Sequence, residues 1–92
     1  MSMEKLAECR RQIDLVDLKI LALLNERTAI VHEIGRIKQT LALPVYEPKR
    51  EEQVFENITA NNRGPLTGDA LKRIFERIID EMRTIQRNNT AG

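Results

Sequence analysis

LLNERTAIVHEIGRIK, residues 23–38, decides how this chain is read. With the residues before it, the stretch belongs to a stripe of Leu6, Cys9, Ile13, Val16, Ile20, Leu23, Arg27, Ile30, Ile34, Ile37 and Leu41. The intervals alternate between three and four, so these side chains share one face of a long helix, and that face is expected to be buried. One member is an arginine. A guanidinium stays charged at every relevant pH, and burying it is costly unless an anion meets it. That anion is either a carboxylate of the protein or a ligand.

Working outward, the chain from about Glu4 to Ala42 has no proline and one glycine, Gly35, which predicts a single helix over about 4–42. Pro44 ends it by pushing its predecessor out of the helical region. LPVYEP, residues 43–48, reads as an extended connector, and Pro48 suits the first position of a second helix, 48–62, with Glu51 and Glu52 in its leading turn. Val54, Phe55 and Ile58 form the apolar side of that helix. The turn formers NNRGPLTGD, residues 61–69, separate it from a third helix, 68–88, capped by Thr67 or Asp69. The inner stripe of the third helix is Leu71, Ile74, Phe75, Ile78, Met82 and Ile85, and Gln86 borders it. The tail RNNTAG, residues 87–92, is expected to fray. With no strand signal and no internal repeat, the fold class is all-α, three helices in one domain spanning 1–92.

The first helix is too long for a compact monomer. Some 38 residues at ~1.5 Å rise extend about 55 Å, whereas a domain of this length has a radius of gyration of about 12 Å. An antiparallel helix from a second copy would cover the overhanging stripe, which predicts an intertwined homodimer. A two-stranded coiled coil carrying two short helices has the same periodicity.

Composition excludes several classes. The 15 basic and 14 acidic residues are interspersed, leaving no electrostatic footprint for nucleic acid or an anionic membrane. No run has the length of a membrane span or a signal-peptide core, so a cytoplasmic location is the default expectation. One cysteine and one histidine offer no internal disulfide and no cluster of soft or nitrogen ligands for zinc. Cys9, on the stripe, reads as a small buried hydrophobe, and His32, off it, as a solvated helix residue.

Further charges lie near the inner faces. Lys38 follows Arg27 by eleven residues, three turns on and rotated only about 20°, so the two cations look out over one line. A small anion lying between them could touch both. Arg10 lies seventeen residues before Arg27, about 25 Å along the axis, too far for one small molecule unless an antiparallel copy closes the gap. The connector and second helix add Glu47, Arg50 and Glu51, although a capping role also accounts for a carboxylate at 51.

With these residues placed, CRRQIDLVDLKILALLNER (9–27), EIGRIK (33–38), LPVYEPKREEQV (43–54) and IFERIIDEMRTIQ (74–86) resemble, in order and spacing, the small all-helical chorismate mutases of the bacterial type. The resemblance implies an intertwined dimer with two active sites, a pericyclic rearrangement of chorismate to prephenate in aromatic amino-acid biosynthesis, and no cofactor. It assigns Arg27, with Arg10 of the partner subunit, to the substrate carboxylates, and Lys38 and Gln86 to the ether oxygen of the breaking bond. Glu51 would receive the ring hydroxyl, with Glu47 and Arg50 supporting that end. Two departures stand out: Glu47 occupies a place where some relatives have aspartate, and Met82 one where some have a serine, so Met82 is given no polar contact. Two rivals remain. An isochorismate pyruvate-lyase is similar in fold and keeps the cationic pair, although Glu51 after Arg50 matches the mutase pattern. A non-catalytic helical dimerisation module explains the stripe but gives Arg27, Lys38 and Gln86 no shared reason.

Overall fold

The computed structural model describes residues 2–91, and side chains for 2–88. Three helices follow one another: α1 (Ser2–Leu41), α2 (Pro48–Asn61) and α3 (Gly68–Ala91). The fold is all-α. Helix α3 continues to Ala91, so the tail expected to fray is helical up to that residue. Among the described residues no helix is long and apolar enough to cross a membrane.

The helix ends follow local chemistry. Pro48 opens α2 without sacrificing a hydrogen bond, because the first N–H groups of a helix have no intrahelical partner. Thr67 caps α3: its Oγ1 accepts from the Ala70 N–H at 3.2 Å, and its carbonyl accepts from the Leu71 N–H at 2.9 Å. Between α2 and α3, Asn62 stitches the turn, accepting from the Gly64 N–H at 2.9 Å and donating to the Leu66 carbonyl at 2.9 Å. Helix α1 stops before the residue preceding Pro44. Ala42 adopts a left-handed φ of 57°, the Leu43 N–H bonds the Lys38 carbonyl at 2.8 Å, and the Ala42 N–H bonds the Gln39 carbonyl at 3.2 Å. This paired closure of the last carbonyls is the Schellman arrangement.

The chain divides into two compact units, residues 1–30 and 31–92. In the first, α1 carries Leu6, Ile13, Val16, Ile20 and Leu23 exposed, and Cys9 is exposed as well. The expected burial of this stripe, and of Cys9, is therefore not met within the chain: residues 2–30 have no other element of their own unit to pack against.

In the second unit α2 packs on α3. Val31, Ile79 and Met82 are its buried apolar residues, and Gly35 and Lys38 are buried with them. Val54, Phe55 and Ile58 of α2 are half-buried. The buried positions of α1 here are Val31, Gly35 and Lys38, one residue on from the stripe members Ile30, Ile34 and Ile37, which are exposed. One residue is a rotation of about 100°. His32 is half-buried for this reason, correcting the solvated position expected for it. The inward face of α3 is likewise turned toward Phe75, Ile79 and Met82, leaving Ile74 of the expected inner stripe exposed.

Candidate active site

Turning α1 by one residue carries Lys38 from the border of the apolar stripe into the packed interior. Its side chain is buried, and an ammonium has three protons to satisfy there. The Schellman closure folds the connector back so that the Val45 carbonyl accepts from Nζ at 2.9 Å. Gln86 of α3 supplies Oε1 at 3.0 Å, and Glu47, the residue before α2, supplies Oε1 at 2.7 Å. The nearby connector and the distant α3, 48 residues on, thus converge on one cation. Glu47 sits at the N-cap of α2 yet makes no side-chain cap bond, because its carboxylate is turned to Lys38 instead. It is 48% exposed, whereas the Lys38 side chain is 9% exposed.

The amide of Gln86 is oriented by this arrangement. With Oε1 accepting from Lys38, its Nε2 is the end turned to other partners, a donor whose state does not depend on pH.

A second cluster was not singled out by the sequence. Arg83 of α3 donates from Nη2 to Glu51 Oε2 at 2.6 Å and from Nη1 to Asp80 Oδ1 at 3.2 Å. Its guanidinium carbon lies 5.2 Å from the centroid of the Tyr46 ring, within range of a cation–π contact. The hydrogen bond to Glu51 is the main cause holding the Arg83 pKa above the ordinary arginine value, against the opposing pull of desolvation. One signal could have revealed Arg83: it directly follows Met82 and precedes Gln86 by one turn, so it borders the inward face of α3.

The structure therefore brings together Lys38, Glu47 and Gln86, and places Glu51 against Arg83. Arg50 is exposed and reaches Gln53 Oε1 at 3.5 Å, outside both clusters. In the other unit Arg10 is exposed and Arg27 is half-buried on α1. Among the described residues no group of His, Cys, Asp and Glu is placed to hold a metal ion.

Comparison with known proteins agrees with this architecture. The bifunctional chorismate mutase/prephenate dehydratase of Aquifex aeolicus is 38% identical over 89 residues, a match covering 92% of this chain. The chain spans about a quarter of that relative's length, 25%. Among solved structures, chorismate mutase (form II) from Thermus thermophilus superposes with a TM-score of 0.88 at 36% identity, covering 90% of this chain and 94% of that one. Chorismate mutase from Helicobacter pylori, solved in complex with prephenate, gives a TM-score of 0.85 at 30% identity, with 91% of each chain covered. The profile described as chorismate mutase type II matches residues 9–87, from the first turns of α1 to the residue after Gln86. On that match the chain belongs to the chorismate mutase type II family.

Proposed function

We propose that the chain converts chorismate to prephenate, and the observation that carries this reading is the buried Lys38 ammonium with the Gln86 amide 3.0 Å away. The reaction is a unimolecular pericyclic step. It needs no nucleophile, no metal and no proton transfer, only confinement of the compact conformer and donors aimed where charge grows. As the carbon–oxygen bond breaks, the ether oxygen gains negative charge. Lys38 Nζ and Gln86 Nε2 would donate to it, and because that charge is larger in the transition state than in the substrate, their contacts lower the barrier differentially. Arg27 and, in an antiparallel pair, Arg10 of the partner subunit would hold the carboxylates, which a guanidinium suits by its bidentate geometry. Glu51 would receive the ring hydroxyl, with Arg50 near that end.

The three protons of Lys38 are already taken, so a substrate oxygen must displace one acceptor. The Val45 carbonyl belongs to the backbone, and Gln86 is needed in place. Glu47 is the half-exposed acceptor on a short connector, and it is the one that yields.

The homodimer belongs to the same reading. The exposed Ile13, Val16, Ile20 and Leu23 lie on one helix face, and burial of each such side chain is worth about 1.5–3 kcal/mol. A second copy of α1 laid antiparallel covers them, carries Arg10 toward the far end and makes one functional domain of residues 1–92. An enzyme of this kind, acting on a pathway metabolite without cofactor, is expected to work in the cytoplasm. The direct test is chorismate in and prephenate out, followed by the ultraviolet absorbance of chorismate with product identification. Absence of turnover, or release of pyruvate from isochorismate instead, would overturn the reading.

A further inference from the structure

Among the described residues, ion pairs within one helix contrast with the pair that joins α2 to α3. Arg11 with Glu8 and Arg77 with Glu81 are exposed neighbours on a single helix, of the sort that contributes little. Arg83 with Glu51 joins residues 32 positions apart, with side chains only 22% and 26% exposed. Such a pair is held by more than its own attraction. The backbone of Glu51 is fixed by its N–H bond to the Glu47 carbonyl at 3.1 Å, and Arg83 is steadied by Asp80 on one side and the Tyr46 ring on another.

We propose that Arg83 is a positioning residue, which holds the Glu51 carboxylate by one oxygen and so presents the other to the ring hydroxyl of the substrate. The inference rests on the mutase reading above. A glutamate left alone near the start of a helix samples several rotamers, and a hydroxyl that binds it must first order it. Arg83 does that ordering in advance with a charge-assisted bond at 2.6 Å to Oε2, leaving Oε1 to the ligand. Its second effect is electrostatic. An unpaired carboxylate at residue 51 would repel a dicarboxylate ligand, and the guanidinium cancels that charge at its source. Its third is mechanical: the same guanidinium lies against Tyr46 in the connector, whose neighbour Val45 accepts from Lys38, so one side chain keeps both clusters in register.

The hydroxyl contact is present in substrate and transition state alike, so its loss falls on KM rather than kcat. A purely structural role would behave in the opposite way, lowering the folded fraction and with it the apparent kcat while KM stays fixed. The experiment is steady-state kinetics on the full chain carrying Arg83→Leu, Arg83→Lys, Glu51→Gln and the Arg83→Leu/Glu51→Gln pair, with helicity followed by circular dichroism. Arg83→Leu is expected to raise KM about tenfold or more with kcat within about threefold of the unaltered chain, because uniform binding is what is lost. Arg83→Lys should fall between the two. Added to Glu51→Gln, the leucine change should cost less than about threefold further, since residues acting through one contact are not additive. Should Arg83→Leu fail to fold, the lysine variant decides alone: a raised KM with unchanged helicity supports the proposal, and an unchanged KM overturns it. Multiplying losses in the double variant also overturn it. If the unaltered chain makes no prephenate, the mutase reading fails and this inference with it. If it makes prephenate and KM ignores residue 83, only the positioning role is lost.

Discussion

Residues 2–30 and residues 31–88 use the same helical periodicity to opposite ends. The first region exposes Leu6, Ile13, Val16, Ile20 and Leu23 on its helix. The second buries Val31, Ile79 and Met82 and gathers Lys38, Glu47 and Gln86 around one ammonium. The difference teaches that one chain suffices to bring Lys38 and Gln86 together but not to cover the apolar face of α1. The Lys38 cluster can therefore be broken without breaking association.

The largest effect is expected from the second region. Lys38→Ala removes the cation at the centre of the cluster, and by analogy with lost oxyanion donors kcat should fall about a hundredfold to a thousandfold. The helical content by circular dichroism and the mass by sedimentation equilibrium should stay as they were. Turnover at the unaltered rate would mean that the cluster is structural and that the two regions do not divide as argued.

Next comes the first region. Val16→Glu keeps a good helix former but sets a carboxylate on the exposed stripe. If a second α1 covers that stripe, each copy loses about 1.5–3 kcal/mol of apolar burial and gains a charge to desolvate, so the sedimenting mass should halve at micromolar concentration. An unchanged mass would show that the stripe faces something other than another copy. Intermediate in size is Glu47→Gln. If Glu47 competes with the substrate for Lys38, removing its charge should lower KM by about threefold to tenfold, more at low ionic strength where such contacts are least screened. Initial rates against chorismate concentration read this directly, and a raised KM would make Glu47 a substrate contact instead.

How much of this was legible beforehand depended on which constraint acted. The three helices and their boundaries near Pro48 and Thr67 follow from local signals, proline at a helix start, a threonine cap and alternating apolar spacing, while the family resemblance rests on the ordered motifs that carry Arg27, Lys38, Arg50, Glu51 and Gln86. The resemblance gives Lys38 and Gln86 each to the ether oxygen of the substrate; that the two side chains bond one another, at 3.0 Å, is a feature of the structure. The facing of α1 was not legible. Ile30, Ile34 and Ile37 are more hydrophobic than Val31, Gly35 and Lys38, so periodicity selects the first set, while packing within residues 31–92 buries the second. The apolar pattern along one helix sums over every partner that helix has and cannot separate them. Arg83 escaped notice because an arginine beside an inner stripe looks like any solvated cation until its acceptor, 32 residues earlier, is seen.

The smallest effect concerns the seam that the second region depends on, the closure of α1. Ala42 holds φ at 57°, where an L side chain crowds its own backbone at a cost of about 1–2 kcal/mol, and glycine is the usual occupant of that position in a Schellman end. Ala42→Gly relieves the crowding but gives the unfolded chain more freedom to lose, so the net gain should be about 0.5–1 kcal/mol. Urea unfolding monitored by circular dichroism should move to a higher midpoint with unchanged slope. The closure also sets the approach of the Val45 carbonyl to Lys38 at 2.9 Å, and glycine preserves the same backbone path. Stability should thus rise while kcat and KM hold. A fall in kcat beside a rise in stability would locate part of the catalytic geometry in the strain at Ala42, and the helix end would then belong to the site instead of merely supporting it.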